Sequence, residues 1–144
     1  MFDTVLVAGL GLMGGSMAKT IKARTLSRVL GWNRTRATAE QALADGSIDA
    51  IATDALFREV DLVIIGLYPQ ATVDWLLENM PKMKKGCVIV DMVGVKQFMV
   101  DHLEQAALDA GVHYVGGHPM AGTQYSGFGH ARANLYHNAP MVIV

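Results

Sequence analysis

Three glycines near the start of the chain have the spacing of a phosphate-binding turn. Gly9, Gly11 and Gly14 form a G-x-G-x-x-G pattern directly after the apolar run TVLVAG, and a helical pattern follows them. Such glycines permit a tight turn, a close approach of the backbone to a pyrophosphate, and close packing of helix on strand. The first helical amides, at Leu12 and Met13, would then face the phosphates. The pattern predicts a dinucleotide site, and a turn that binds nothing is the alternative.

The end of the second apolar run carries residues that would choose between two cofactors. An acid at this position holds the ribose hydroxyls of NAD, but this chain has Asn33, followed by Arg34, Thr35 and Arg36. No carboxylate stands there to repel a 2′-phosphate, and guanidinium groups bind phosphate well. These residues favour NADP as the cofactor, with NAD as the second choice. Arginines that are merely solvated at a helix start are the alternative.

Further candidates follow the third and fourth apolar runs. The third run ends in Leu67, Tyr68 and Pro69, where we expect a stiff wall beside the dinucleotide. The fourth ends in VDMVGVK, which contains Asp91 and Gly94. Ligands of open parallel sheets bind beyond the carboxyl ends of the strands, so all these residues are expected at one edge.

The fifth apolar run leads into GGHPMAGTQYSGFG, residues 116–129, where His118 lies among glycines. Glycines allow the backbone to approach a ligand closely. The position of His118 after a strand places it at the ligand edge, beside the expected nicotinamide. A histidine with a purely structural or solvated role is the alternative, because only its position argues for chemistry.

Short apolar runs alternate with helical patterns along the whole chain. Most runs are nearly continuous Val, Ile and Leu, which is typical of a sheet covered on both faces. The alternation predicts an α/β fold with a doubly wound, mostly parallel sheet and helices on both faces, a Rossmann dinucleotide-binding domain over residues 1–144. The predicted strands are 4–9, 28–33, 61–67, 87–92, 112–117 and 141–144, and the predicted helices are 12–24, 35–46, 71–80 and 96–111.

Composition excludes several classes of partner. The 144 residues are 51% hydrophobic and 17% charged, with 12 basic and 13 acidic residues, which fits one globular domain with a real core. The absence of a basic stripe argues against nucleic acid, and no apolar run is long enough for a membrane span. The single Cys87 and an N-terminus without a basic leader indicate a cytoplasmic protein. We expect a small-molecule substrate and no metal site.

Three segments, taken in order, resemble the prephenate/arogenate dehydrogenase family over essentially the whole chain. They are GLGLMGGSMA, the D-x-x-x-V-K pattern from Asp91 to Lys96, and GGHPMAGTQYSGFGHARANLY. The resemblance implies oxidative decarboxylation of prephenate or arogenate in tyrosine biosynthesis, with hydride passing to the nicotinamide. The family histidine aligns with His118, which implies a neutral imidazole acting as general base on the ring hydroxyl.

The chain departs from the family pattern in three ways. Gly94 stands where the family usually has a serine that orients the histidine, and Gln124 stands where it often has an acid. With Gly122 and Thr123, these positions are the expected substrate contacts. Family members also carry a helical C-terminal domain that forms a homodimer, and this chain ends where that domain should begin.

We therefore expect a cofactor domain that is inactive by itself. A non-catalytic NADP-binding module or remnant is one alternative. A 3-hydroxyacid-type dehydrogenase domain is another, although the His-Pro-Met-Ala-Gly block argues against it.

Overall fold

Strands and helices alternate in a computed structural model that describes residues 2–92, 96–119 and 141–143. Two short 3-10 helices, Asp54–Glu59 and Met80–Lys82, complete the pattern. None of the helices in this described part of the chain is long and apolar enough to span a membrane. The strands and helices in chain order are β1 (Thr4–Ala8), α1 (Leu12–Arg24), β2 (Arg28–Trp32), α2 (Arg36–Ala44), β3 (Ala50–Ile51), β4 (Leu62–Ile65), α3 (Pro69–Asn79), β5 (Val88–Asp91), α4 (Lys96–Ala110), β6 (His113–Pro119) and β7 (Met141–Ile143).

The strands form one sheet in the order β3-β2-β1-β4-β5-β6-β7. The first six strands in the chain are parallel to one another, whereas β7 runs antiparallel to β6 and pairs Ile143 with Gly117. Chain order reverses between β1 and β4, and such a reversal opens a crevice for ligands at the carboxyl ends of the strands. The predicted doubly wound, mostly parallel α/β fold is confirmed.

Apolar side chains fill both faces of the sheet, because alternate residues of each strand point to opposite sides. One cluster combines strand residues such as Leu6 and Ile89 with Leu76, Met99 and Leu103 of α3 and α4. The other cluster covers the opposite face and contains the following buried residues: Val5, Val7, Leu10, Ala18, Val29, Ala39, Ala42, Ile48, Ile64 and Met92. Burial on both faces explains the continuous apolar runs of the sequence.

Aromatic rings pack α3 against the face of the sheet that the first cluster covers. The ring centroids of Trp75 and Trp32 are 5.7 Å apart, and those of Trp75 and Phe57 are 5.9 Å apart in an edge-to-face arrangement. Such pairs add to the stability gained from burial alone. They hold α3 in place, and the N-terminus of that helix lies at the ligand edge.

The element boundaries differ from the predicted ones in a few places. Helix α1 covers the predicted residues 12–24, whereas α3 begins at Pro69 rather than residue 71. Proline is favoured in the first helical turn, where its missing N–H costs nothing. The strand Ala50–Ile51 and the two 3-10 helices were not predicted, because none of them has an apolar run of its own.

Candidate functional site

The first glycine of the G-x-G-x-x-G pattern turns the chain sharply at the end of β1. Gly9 has φ +90°, a conformation that side chains rarely allow, and its N–H donates to the Trp32 carbonyl at 2.8 Å. A Cβ atom on Gly9 would lie 2.9 Å from the carbonyl carbon and oxygen of Gly66. Both the conformation and the space therefore require glycine here.

The third glycine of the pattern brings α1 against this turn. A Cβ atom on Gly14 would lie 1.6 Å from the Gly9 carbonyl oxygen, well inside any permitted contact. Gly66, at the end of β4, is the third member of the group, because its Cβ would lie 3.2 Å from the Gly14 nitrogen and 3.3 Å from the Gly9 oxygen. Sequence reasoning missed Gly66, and its one signal was a glycine ending an apolar strand. The close contacts among these three glycines hold the start of α1 against the sheet.

The middle glycine has space around it. Among the residues that the structure describes, none would lie within 4 Å of a Cβ atom on Gly11. Gly11 is the N-cap of α1 and has no side chain to accept from the first amides, and the first turn, which includes half-buried Leu12 and Met13, contains no acid. Neither an acid in the first turn nor an N-cap side chain offsets the positive end of the helix dipole, and such an end favours an anion like a pyrophosphate. We call residues 9–14 the glycine turn.

Residues 33–36, here called the arginine segment, lie beside the glycine turn. The Oδ1 atom of Asn33 accepts a hydrogen bond from the Leu10 N–H at 2.8 Å, and its Nδ2 donates to the Thr35 carbonyl at 3.0 Å. Arg34, Thr35 and Arg36 are exposed. Arg36 is the first residue of α2, and its Nε atom lies 3.4 Å from the Glu40 Oε1 atom. Because this ion pair is exposed to solvent, it restrains the Arg36 side chain only weakly. Two guanidinium groups are thus available to a polyanion.

The third strand end contributes an exposed aromatic ring. Tyr68 is 83% exposed and precedes Pro69, the first residue of α3. Leu67 is half-buried, and its carbonyl accepts from the Thr72 hydroxyl at 3.0 Å, which ties the loop to the helix. The loop backbone is thereby fixed, and the Tyr68 ring stands at the ligand edge.

Asp91 ends β5 as a fully buried carboxylate. The Tyr114 hydroxyl of β6 donates to its Oδ2 at 2.9 Å. Burial, and after it the neighbouring Asp91 carboxylate, raise the pKa of Tyr114 far above its usual value, so the phenol stays a neutral donor. Asp91 therefore lies at the edge where it was predicted, but beneath the surface. Tyr114 was not predicted, although a tyrosine in the apolar run VHYVGG was a signal for a buried polar partner.

Several predicted site residues lie outside the described part of the chain. These are Gly94, Gly122, Thr123 and Gln124, whose predicted substrate contacts stay predictions. His118 was predicted to follow the strand 112–117, but β6 continues to Pro119 because β7 pairs with its end, and the His118 backbone pairs with Val142; its side chain is not described. Within residues 2–92, 96–119 and 141–143, no three His, Cys, Asp or Glu residues gather where they could hold a metal ion.

Comparisons with known proteins give a consistent result. Residues 17–144 match the family model described as prephenate dehydrogenase, nucleotide-binding domain. The chain is 37% identical to the prephenate dehydrogenase of Bacillus subtilis, over 96% of this chain and 38% of that protein.

Two solved structures have the same fold. The arogenate dehydrogenase of Synechocystis is 27% identical, with a TM-score of 0.85 over 98% of this chain and 49% of that one. The prephenate dehydrogenase of A. aeolicus, solved with hydroxyphenyl propionate and NAD+, is 24% identical, with a TM-score of 0.87 over 100% of this chain and 51% of that one. The second likeness supports the fold alone. The chain thus spans about half, or less, of the length of each of these proteins.

Proposed function

The chain belongs to the prephenate dehydrogenase family, whose nucleotide-binding domain it carries, and on that premise we propose that it binds NADP for the oxidative decarboxylation of prephenate or arogenate. The family resemblance seen in the sequence motifs is thereby confirmed. One observation carries the cofactor part of the proposal: the N-terminus of α1, where Gly11 has no side chain to cap the first amides, is joined by the Leu10–Asn33 hydrogen bond to a segment with two exposed arginines. One dinucleotide with an extra phosphate would use both features.

The glycine turn would hold the pyrophosphate, and the arginine segment would hold the 2′-phosphate. Gly11 leaves room for the pyrophosphate, while the locked positions of Gly9 and Gly14 aim the first amides of α1 at it. No acid at position 33 opposes a 2′-phosphate, and Arg34 and Arg36 would supply charge-assisted hydrogen bonds. NAD is the second choice.

The wall of the site would come from the loop between β4 and α3. Leu67 and Pro69 are half-buried and would pack beside the dinucleotide, and the exposed ring of Tyr68 would lie over it. Asp91 was predicted as a cofactor contact. Because it is buried and bonded to Tyr114, we propose that it supports the strand ends from below.

The chemical step would depend on His118. Bound NADP would supply the acceptor for the hydride that leaves the carbinol carbon of the substrate. His118, neutral at working pH, would accept the proton of the ring hydroxyl as general base. Loss of carbon dioxide would then leave an aromatic ring, which makes the reaction effectively irreversible. Gly94, Gly122, Thr123 and Gln124 would contact the substrate.

The relatives are about twice as long as this chain or longer, so we assign only part of the activity to this chain. We propose that this chain binds the cofactor, and that residues corresponding to the rest of the relatives complete the substrate pocket and a homodimer. Turnover of both substrates should then be measured with this chain and with a full-length form. His118→Ala in the full-length form should cut kcat by about 10²–10⁴ and leave cofactor affinity within a few-fold.

Calorimetric titration with NADP and NAD tests the cofactor directly. NADP should bind more tightly, and Arg34→Ala should weaken NADP binding by about 10–100-fold while leaving NAD nearly unchanged. Arg58→Ala removes another exposed arginine, which lies in the 3-10 helix Asp54–Glu59, and serves as the matched control. Equal affinities for the two nucleotides would refute the NADP assignment. Tight NADP binding without turnover in any form of the protein would favour the non-catalytic module.

A further inference from the structure

The side chain of Asn33 connects the glycine turn to the arginine segment. Its Oδ1 atom accepts from the Leu10 N–H at 2.8 Å, and its Nδ2 atom donates to the Thr35 carbonyl at 3.0 Å. The neighbouring Gly9 N–H donates to the Trp32 carbonyl at 2.8 Å. Two successive amides of the glycine turn are therefore held by two successive residues at the end of β2.

The geometry points to a positioning role for Asn33: it fixes Arg34 relative to the glycine turn before any cofactor binds. This inference rests on the proposed binding of NADP. Each polar atom of the amide already has one protein partner, so we assign the side chain a role that acts through the two loops. One NADP molecule carries both the pyrophosphate and the 2′-phosphate, and the Asn33 amide sets the spacing of the two protein segments that would bind them.

An amide is the side chain that can make this connection. It carries an acceptor and a donor on one planar group, and here the acceptor meets an N–H and the donor meets a carbonyl. An aspartate could accept from Leu10, but its second oxygen would face the Thr35 carbonyl without a proton between them. A serine at position 33 is too short to reach Leu10 and Thr35 together. Asparagine at position 33 therefore serves two purposes. It makes both hydrogen bonds, and it places no negative charge near a 2′-phosphate.

The two hydrogen bonds of the Asn33 side chain restrain the backbone next to Arg34. That residue lies between Asn33, whose side chain accepts from the Leu10 N–H, and Thr35, whose carbonyl accepts from the Asn33 amide and also from the Thr38 N–H at 3.1 Å, so the backbone on both sides of it is anchored. Asparagine side chains commonly bond to backbone two residues further on and stabilise such turns. Arg36 differs because it belongs to α2, whose own hydrogen bonds fix its backbone. Loss of the Asn33 amide should therefore release Arg34 but leave Arg36 in place.

A double-mutant cycle tests this difference on the affinity for NADP relative to NAD. In the parent, Arg34→Ala should lower that ratio by about 10–100-fold, whereas in an Asn33→Ala background it should lower it by less than about 3-fold. Arg36→Ala, the matched control, should have the same effect in both backgrounds. Asn33→Ser keeps a polar oxygen but cannot span both partners, so it replaces Asn33→Ala in the cycle if that variant does not fold.

A second readout needs no cofactor. In the free protein, Asn33→Ala should remove the hydrogen-exchange protection of the Leu10 amide and increase backbone motion at Arg34. The Gly9 amide stays protected by Trp32, and the Thr35 carbonyl stays bonded to the Thr38 N–H. Unchanged protection at Leu10 would overturn the inference. Additive effects of Asn33→Ala and Arg34→Ala, in a parent that prefers NADP, would overturn it and leave the proposed function intact. A parent that does not prefer NADP would overturn both.

Discussion

A methyl group at Gly14 should damage both the fold and the cofactor site. Its Cβ would lie 1.6 Å from the Gly9 carbonyl oxygen and 2.9 Å from the Gly9 carbonyl carbon. A carbon and an oxygen need about 3.2 Å or more, so the start of α1 would have to move by about 1.6 Å. Gly9 is itself held by Gly66, and these are backbone atoms that no rotamer change can relieve.

The cost of that movement follows from the burial of the site. Overpacking a buried site usually costs about 1–3 kcal/mol, and occasionally more, and a backbone clash of this size belongs at the upper end. Against a typical domain stability of about 5–15 kcal/mol, a loss of about 3 kcal/mol is large. For a chain of this size it should lower Tm by about 10 °C. NADP binding should fall as well, because the displaced helix no longer presents its first amides to the phosphates.

Gly11→Ala is the matched variant. A Cβ atom there meets nothing within 4 Å in the described part of the chain, and Gly11 has φ −75°, which alanine adopts easily. Its free energy of unfolding should stay within about 1 kcal/mol of the parent. The methyl group would nevertheless stand where the backbone has to approach the pyrophosphate, so NADP affinity should fall about 10-fold or more. Gly46→Ala, with φ +82° in open space, controls for backbone strain alone.

Urea unfolding and calorimetric titration of the three variants decide the matter. Gly14→Ala should lose stability and affinity, Gly11→Ala affinity alone, and Gly46→Ala about 1 kcal/mol of stability alone. The reasoning about the glycine turn is wrong if Gly14→Ala keeps the stability of the parent. It is also wrong if Gly11→Ala binds NADP as tightly as the parent.

Three further predictions concern buried and paired groups. Burial raises the pKa of the Cys87 thiol to about 11, so iodoacetamide at pH 8 should label this thiol only once urea unfolds the chain. Mass spectrometry measures the labelling, and rapid labelling of the folded protein would contradict the prediction. The Lys84 ammonium holds the pKa of Asp61 below its usual value, so the stability that the Asp61 carboxylate contributes is complete above about pH 4 and is lost as pH falls. Asp61→Asn should therefore lose less stability between about pH 7 and pH 3 than the parent, and equal losses would contradict this. Tyr114→Phe leaves buried Asp91 without its phenol donor and should cost about 1–3 kcal/mol in urea unfolding at pH 7, whereas an unchanged midpoint would show that the hydrogen bond contributes nothing.

The elements with long patterns could be predicted from the sequence. Helix α1 has the predicted bounds because the glycine pattern marks its start and the helical spacing ends before Thr25. The strand Ala50–Ile51 could not be predicted, because two residues carry no periodicity and pair only because β2 offers them an edge. The antiparallel direction of β7 was equally hidden, since it depends on how the chain returns to the sheet.

In the candidate site, the sequence predicted local geometry better than contacts between distant residues. The spacing of Gly9 and Gly14 encodes a backbone turn, so the need for glycine at both positions was predictable. The approach of Gly66 to that turn depends on the pairing of β1 with β4, and no local pattern reveals it. The hydrogen bonds from the Leu10 N–H to Asn33 and from the Tyr114 hydroxyl to Asp91 each join residues 23 positions apart, on different strands or loops.

The central position of β1 has a consequence for how the chain acquires its fold. Thr4 pairs with Arg28 on one side and Val5 with Leu62 on the other, so β1 waits longest among the described strands for its second neighbour to be synthesised. Until β4 has emerged, one edge of an apolar strand presents unpaired N–H and carbonyl groups, which is a template for pairing with other chains. Parallel pairings over such separations close slowly. Refolding yield from denaturant should therefore fall steeply as protein concentration rises, and nascent chains released before Leu62 should aggregate.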